Sequence, residues 1–581
     1  MKNLRLLFPY FRPYRGRMIL GLLCVACMAG MALLTPVVVG RAVDRLYQDL
    51  SGQWLLLYAG VLIGIAAVQG VFSFGQRMIL VRVSRGVEKD IRDRYFQHLT
   101  TLSQRFYHDQ KTGDLMARAT NDLEAVRMLC GPAIMYSANA VFATIGALTL
   151  MFAVNVKLTL TAVCMLPLVA VATRVFGQKI HVHFLQVQEQ FSNVSNKVQE
   201  NFSGARVVRA YVQEEQEARE FRTLNEEFLE RNRRLIRWTS VFHPMLQMLM
   251  GIGFVWVLGY GGLLAYNGSI TVGELVKFNL LLARLVWPMI AFGFVINLIQ
   301  RGTGSLGRIH QILDVTPEIR DEPQVAAWPV EIGGAVACRE LSFRYPETEE
   351  PVLEGIDFAV PAGKMVALVG RTGSGKSTLL SLIPRLVDPP WGNLFVDGTD
   401  VREMPLESLR QSIGFVPQES FLFSATVREN IALGRPDASP EEILEAARVS
   451  GLESDLELMP QGLDTVVGER GITLSGGQKQ RVSLARAILR QPRLLLLDDC
   501  MSAVDTQTEE KILRNLRQVF RGRTVFLVSH RVSTVKDADL ILVLDQGRIA
   551  ERGTHEELIA RGGLYADLDQ RQRLEEELAA V

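Results

Sequence analysis

The feature that most constrains this chain is a set of uncharged apolar stretches in its N-terminal half, each long enough to cross bilayer hydrocarbon, which takes about 20 residues of helix. They run from Met18 to Gly40, Ser51 to Gln76, Met128 to Val156 and Trp238 to Gly273. Two further runs are shorter or interrupted: Leu158 to Thr173 stops at Arg174, and Phe278 to Gln300 contains Arg284. The expectation is six membrane spans. The first run is longer than the apolar core of a cleavable signal and lacks a small-residue cleavage site, so it reads as an anchor that stays.

A chain of 581 residues is too long for one compact core, so at least two domains are expected. Its 48% hydrophobic content is high for a soluble protein and low for one embedded throughout in lipid. A membrane half joined to a soluble half gives that average. Lys plus Arg total 63 against 62 for Asp plus Glu, which offers no electrostatic case for a nucleic-acid partner. None of the six cysteines falls in a zinc-like pattern with histidine. Cys24 and Cys27 form a C-x-x-C inside an apolar run without nearby ligands, which suits small helix-packing residues.

Charge sets the orientation. Lys2, Arg5, Arg12, Arg15 and Arg17 precede the first span, and Arg77, Arg82, Arg85, Lys89, Arg92 and Arg94 follow the second, so both flanks are expected in the cytoplasm. The connections Arg77 to Arg127 and Arg174 to Arg237 are charged and still helical in pattern, and the helices are expected to continue past the membrane. Residues 1–17 mix Leu, Phe and Tyr with Arg, a composition suited to an interfacial helix, although Pro9 and Pro13 interrupt it. The spans are assigned to 18–302 and a Pro-punctuated linker to 303–335. Short apolar runs then alternate with helical patterns over 336–570, as in an α/β domain, and 571–581 form a charged tail.

The chemistry sits in that second half. The run Val366 to Val369 leads into Gly370-Arg371-Thr372-Gly373-Ser374-Gly375-Lys376-Ser377, a buried strand opening into a phosphate-binding loop. Its glycines let backbone N–H groups wrap phosphates, Lys376 reaches the outer ones, and the Ser377 hydroxyl can hold Mg²⁺. Leu494 to Leu497 is an apolar run ending in Asp498 and Asp499, which puts a carboxylate at the end of a buried strand where the metal sits. Between them Leu474-Ser475-Gly476-Gly477-Gln478 stands just before a helix, offering bare amides as an anion site.

Together these motifs resemble the ABC ATPase family, and the resemblance implies further roles position by position. Tyr345, in Phe343-Arg344-Tyr345-Pro346, looks like the aromatic that stacks on adenine, and Thr378 extends the phosphate loop. Gln418, in Val416-Pro417-Gln418, looks like the Q-loop residue that senses Mg²⁺ beside Ser377 and Asp498. Ser502-Ala503-Val504-Asp505 is similar to the D-loop, and His530 to the switch histidine near the γ-phosphate. Gly468-Glu469-Arg470-Gly471 resembles the segment that exporters press against their membrane domain. Phe106-Tyr107-His108 with Thr112-Gly113-Asp114-Leu115, and Gly204 to Tyr211, resemble the two coupling helices of type I exporters. The implied architecture is an all-α six-helix type I exporter domain followed by an α/β P-loop nucleotide-binding domain. The whole resembles bacterial multidrug-resistance-like half-transporters of the MdlA type. That implies ATP and Mg²⁺ as cofactors, the cell membrane as location, and hydrophobic, amphipathic small molecules as cargo. A lipid flippase and a peptide exporter stand as alternatives within the class. A soluble ABC ATPase or a nucleotide-gated channel stands outside it.

One position departs from the family pattern. In ABC ATPases that hydrolyse well, a glutamate follows the metal-binding aspartate and orients the attacking water; here Asp499 does. The missing methylene retracts the carboxylate by about 1.5 Å, and displacements near 1 Å cost roughly a hundredfold in rate. Since the family sandwiches ATP between one chain's phosphate loop and the other's signature, Leu474–Gln478 beside a weakened base fits a heterodimer whose second chain supplies the competent glutamate. A homodimer with two slow sites is the alternative. Arg284 lies inside a span, where a charge costs about 2.5–3.5 kcal/mol on insertion scales. It either lines the translocation path or is paired or snorkelled for structural reasons.

Overall fold

The computed structural model describes residues 2–48, 52–164, 166–321, 332–346, 348–471, 473–504 and 506–580. The chain divides into two compact units, Met1–Thr100 with Gln110–Val315, and Thr101–Asp109 with Thr316–Val581.

The first unit holds six helices long and apolar enough to cross a membrane: α1 (Leu4–Gln48), α2 (Gly52–Leu99), α3 (Thr112–Val154), α4 (Val156–Ser203), α5 (Glu214–Tyr266) and α6 (Val272–Leu313). Lipid offers no hydrogen bonds, so each crossing segment must pair its own backbone groups, and a helix does so. Ile63, Val71, Phe74, Val255 and Leu258 face outward, as lipid permits and water does not. The start of α1, through Tyr14, winds through alternating 3₁₀ and α turns before the regular helix from Arg15, with Pro9 and Pro13 accepted at the first positions of short turns. Beyond its apolar run α2 keeps a buried stripe, Leu80, Val83, Val87, Ile91 and Tyr95, at helical spacing. That stripe holds the helix together where the membrane no longer does.

In α3 two π turns, Arg118–Asp122 and Leu129–Ala133, interrupt the regular pattern, the second around Pro132. Thr271 and Glu274 cap the start of α6 with a reciprocal box. Asp44 of α1 closes the same end, accepting from the Gly273 N–H at 2.7 Å and the Thr271 hydroxyl at 2.7 Å. Residues 303–313, expected in the linker, remain helical because Leu306, Ile309 and Ile312 continue a buried face. Of the remaining linker, residues 322–331 lie outside the described residues.

The second unit contains two sheets. The antiparallel one pairs β2 (Leu353–Val360), β1 (Val336–Phe343), β4 (Leu394–Val396) and β5 (Thr399–Asp400) in that order. The larger sheet has the order β10 (Arg548–Gly553), β9 (Leu540–Asp545), β3 (Met365–Gly370), β8 (Thr524–Val528), β7 (Leu494–Asp498), β6 (Ile413–Val416), parallel except for β10. Its central strands are apolar throughout because both faces are covered. Ala367, Val369, Leu495, Leu497, Val525 and Leu527 enter one core, while Val366, Leu368, Leu494, Leu496, Phe526 and Val528 enter the other. The pattern follows the two-residue period of a strand.

A short helix, Gln104–Asp109, belongs to this unit although the chain reaches it from α2. Glu318 ties it there, accepting from the Ser103 hydroxyl at 2.9 Å and from Arg105 at 3.3 Å. The other segment read as a coupling helix forms Ala205–Ala210, between α4 and α5 in the first unit.

Candidate nucleotide site

Three neighbouring parallel strands, β3, β8 and β7, end together, and the loops leaving their carboxyl ends build one cavity, as open parallel sheets commonly arrange. After β3 the chain turns through Gly375, whose φ of +94° no side chain favours. A Cβ there would lie 2.6 Å from Leu353 Cδ2 and 2.9 Å from the Val352 carbonyl oxygen. α7 (Lys376–Leu382) begins at once. Lys376 folds back over the loop, its Nζ donating to the carbonyls of Gly370 at 2.9 Å and Arg371 at 2.8 Å and to Ser374 Oγ at 3.3 Å. Burial pushes its ammonium below the usual lysine range, opposed by Asp498 and Asp499.

β7 delivers Asp498, 5% exposed, with an Oδ1 that is buried and partnerless among the described residues. Burial holds its carboxyl above the usual range; the Ser377 hydroxyl opposes this, Asp499 adds to it, and Lys376 and His530 pull it down. Asp499 follows with φ +44°, a left-handed backbone that Asp tolerates better than most residues because its short side chain bonds locally. His530 leaves β8 after Ser529 with an exposed side chain. The cavity is lined by Thr372 to Thr378, Gln418, Asp498, Asp499 and His530. Tyr345, just past β1, packs edge-on against Phe343 at 4.9 Å and donates to Thr378 Oγ1 at 3.4 Å. Gly370 and Arg371, also expected at the nucleotide, do not line this cavity; they line a separate small pocket with Val543, Leu544 and Asp545 of β9.

None of Leu474 to Gln478 lines this cavity. Ser475 caps α8 (Gly476–Leu489), its Oγ accepting from the Gln478 N–H at 3.2 Å while Gln478 Oε1 accepts from the Ser475 N–H at 2.9 Å. Ser502, Ala503 and Val504 pack on the same end: Gln480 accepts from the Ala503 N–H at 3.1 Å and donates to Ser502 Oγ at 3.1 Å. A Cβ on Gly477 would come within 2.9 Å of the Ala503 carbonyl oxygen. Asp505 lies outside the described residues. Arg284 is exposed on α6 and makes no hydrogen bond or ion pair within the chain among the described residues. It belongs to the first unit.

The sequence did not single out several residues that hold these loops. Asp455 receives Gln478 at 3.0 Å and Arg481 at 2.6 Å, which fixes α8. Glu509, 4% exposed, pairs with Arg531 and accepts from Thr534 Oγ1 at 2.5 Å, beside the switch loop. An acid on α9 (Thr506–Phe520), the helix after the D-loop segment, was the signal available, and it does not name its partners.

The residues fit a nucleoside triphosphate with a divalent cation. A buried partnerless carboxylate oxygen beside a serine hydroxyl is a hard oxygen donor set of the kind Mg²⁺ takes. The loop amides and Lys376 supply the complementary positive field. Among the described residues no cluster of three His, Cys, Asp or Glu side chains offers another metal site.

Comparisons agree with this division. The model of the ABC transporter transmembrane region matches residues 18–289, and that of the ABC transporter matches 353–502. The chain is 38% identical to the probable multidrug resistance ABC transporter ATP-binding/permease protein YheI of Bacillus subtilis (strain 168), over 97% of each. It is 35% identical to the multidrug resistance-like ATP-binding protein MdlA of Escherichia coli (strain K12), over 97% of this chain and 96% of that one. It is 34% identical to an ATP-dependent lipid A-core flippase of Syntrophus aciditrophicus (strain SB), over 98% and 94%. A solved bacterial Atm1-family ABC exporter with ATP bound matches with TM-score 0.78 at 29% identity, covering 96% of this chain and 98% of that one.

Proposed function

This chain belongs to the ABC transporter family, an ATP-driven multi-pass membrane transporter, and on that premise we propose that it is one half of a heterodimeric exporter of hydrophobic, amphipathic small molecules whose own phosphate loop retains ATP rather than hydrolysing it quickly. Asp499 carries the reading. It stands where a longer acid would reach the attacking water, and the same chain keeps an intact Ser475-Gly476-Gly477 helix end that can serve a partner's nucleotide.

In this proposal Tyr345 faces the base, the loop amides of Arg371 to Ser377 and the Lys376 ammonium hold the phosphates, and His530 stands beside the outermost one. Ser377, Gln418 and Asp498 would hold Mg²⁺, which when bound neutralises charge on the outer phosphates. Both termini are cytoplasmic, and closure of two ATPase domains drives exchange between inward-open and outward-open membrane halves.

The test compares ATP turnover by the purified chain and by Asp499→Glu. The wild type is expected to be slow and the variant faster by about tenfold or more, since restoring reach restores placement. Turnover by the unmodified chain as brisk as the variant's would overturn the retained-nucleotide reading, and purification from the native host with only copies of itself would overturn the heterodimer. A second reading, a lipid flippase, is favoured by the 34% identity to a lipid A-core flippase. Stimulation of the ATPase by lipid and not by amphipathic drugs would select it.

A further inference from the structure

The last helix, α10 (Leu564–Ala580), runs past the end of the ATPase core with a definite attachment. Glu551 fixes its start, accepting from the Leu564 N–H at 2.6 Å and the Tyr565 N–H at 3.1 Å. Tyr565 is fully buried, with its hydroxyl 2.8 Å from His555 Nδ1, and Leu568 packs against the same core. Positions 565, 568 and 572 share one face of a helix. The third of these, Gln572, meets the switch loop at two points: its Nε2 donates to the His530 carbonyl, and its Oε1 accepts from the Val532 N–H at 2.7 Å.

We propose that Gln572 is a positioning residue for His530, bracing the backbone of the switch loop so that the imidazole keeps its place at the outer phosphate; the proposal rests on the family role given to His530 above. A primary amide carries a donor and an acceptor on one rigid head, which matches a C=O and an N–H two residues apart. On the other side Glu509 holds Arg531, and Ser529 Oγ accepts from the Arg531 N–H at 3.0 Å. The loop is therefore gripped from two helices, and only the grip from α10 touches the backbone on both sides of Arg531. Loss of it frees the carbonyl of His530 and the N–H of Val532, and a loop loosened by about 1 Å near reacting atoms can cost up to a hundredfold in rate.

The experiment is made in whichever full-length chain, wild type or Asp499→Glu, turns over ATP faster, so its outcome does not depend on which acid is competent. Gln572→Met keeps the length and packing of the side chain and removes both hydrogen bonds; Gln572→Ala removes everything. Both are expected to lower kcat by about tenfold or more with KM for ATP within about twofold, the signature of a lost transition-state contact. Hydrogen exchange at the Val532 amide is expected to accelerate in both. Full kcat in Gln572→Met, whatever the alanine variant does, would reduce Gln572 to packing and overturn the proposal. Unchanged protection of the Val532 amide in both variants would overturn it as well, even if no background hydrolysed ATP.

Discussion

Asp498 holds a charge that its surroundings disfavour, chiefly through burial. Its folded-state pKa is raised, so the folded protein binds this proton more tightly than the unfolded chain. The ionised carboxylate therefore subtracts stability in full above the folded pKa, and the loss vanishes as pH falls toward the ordinary value of 3.8. Asp498→Asn is expected to raise the midpoint of ligand-free thermal unfolding of the ATPase domain by about 2–4 °C, the shift that about 1 kcal/mol gives a domain of this size. The same variant should lose the extra stabilisation that ATP gains from Mg²⁺ over EDTA. A lowered midpoint without ligand would show that its buried oxygen is satisfied in a way the geometry does not reveal. The phosphate loop and Asp498 were legible because local backbone chemistry dictates them, glycines where φ is positive and an acid at the end of an apolar strand; Gln418 and His530 were legible only through the family resemblance. Gln572, Glu509 and Asp455 were not, since each acts on a partner that only the folded chain brings near.

At the scale of elements, α1 and α6 meet at a pair of glycines. A Cβ on Gly273 would collide with the Gly40 carbonyl oxygen and lie 2.6 Å from Asp44 Oδ2. Gly273→Ala should therefore push the helix ends apart and cost about 1–3 kcal/mol, as overpacking does, measured as a lower unfolding midpoint in detergent. Asp44→Asn keeps the shape but gives up one of two acceptors at the start of α6; a loss of about 0.5–2 kcal/mol is expected, the range for a lost helix cap. If both variants unfold like the wild type, the two helix ends are held by something else. The spans themselves were readable as apolar runs. Their ends were less so, because a helix stops where its backbone bonding stops: α4 continues past Arg174, where the apolar run ends. The π turns of α3 left no periodic trace, and they accompany a close approach in which a Cβ on Gly131 would sit 2.7 Å from Ser84 Oγ.

For the whole molecule, the orientation drawn from the basic flanks has a direct check. With the native cysteines replaced, Asn267→Cys, between α5 and α6, is expected to react with a membrane-impermeant thiol reagent added to intact cells. Ser103→Cys should react only after permeabilisation. The opposite pattern would invert the proposed topology. The two-part plan was visible in composition and motifs; the sequence assigned residues 101–109 to the 18–302 membrane domain while likening Phe106–His108 to a coupling helix, and it did not reveal that Glu318 takes hold of Ser103 and Arg105. The polypeptide thus crosses between the two units at Thr100–Thr101, Asp109–Gln110 and Val315–Thr316 rather than once. A body joined by one strand of chain has a single covalent path along which to pass on a movement; three crossings give the nucleotide-driven unit three such paths into the helices.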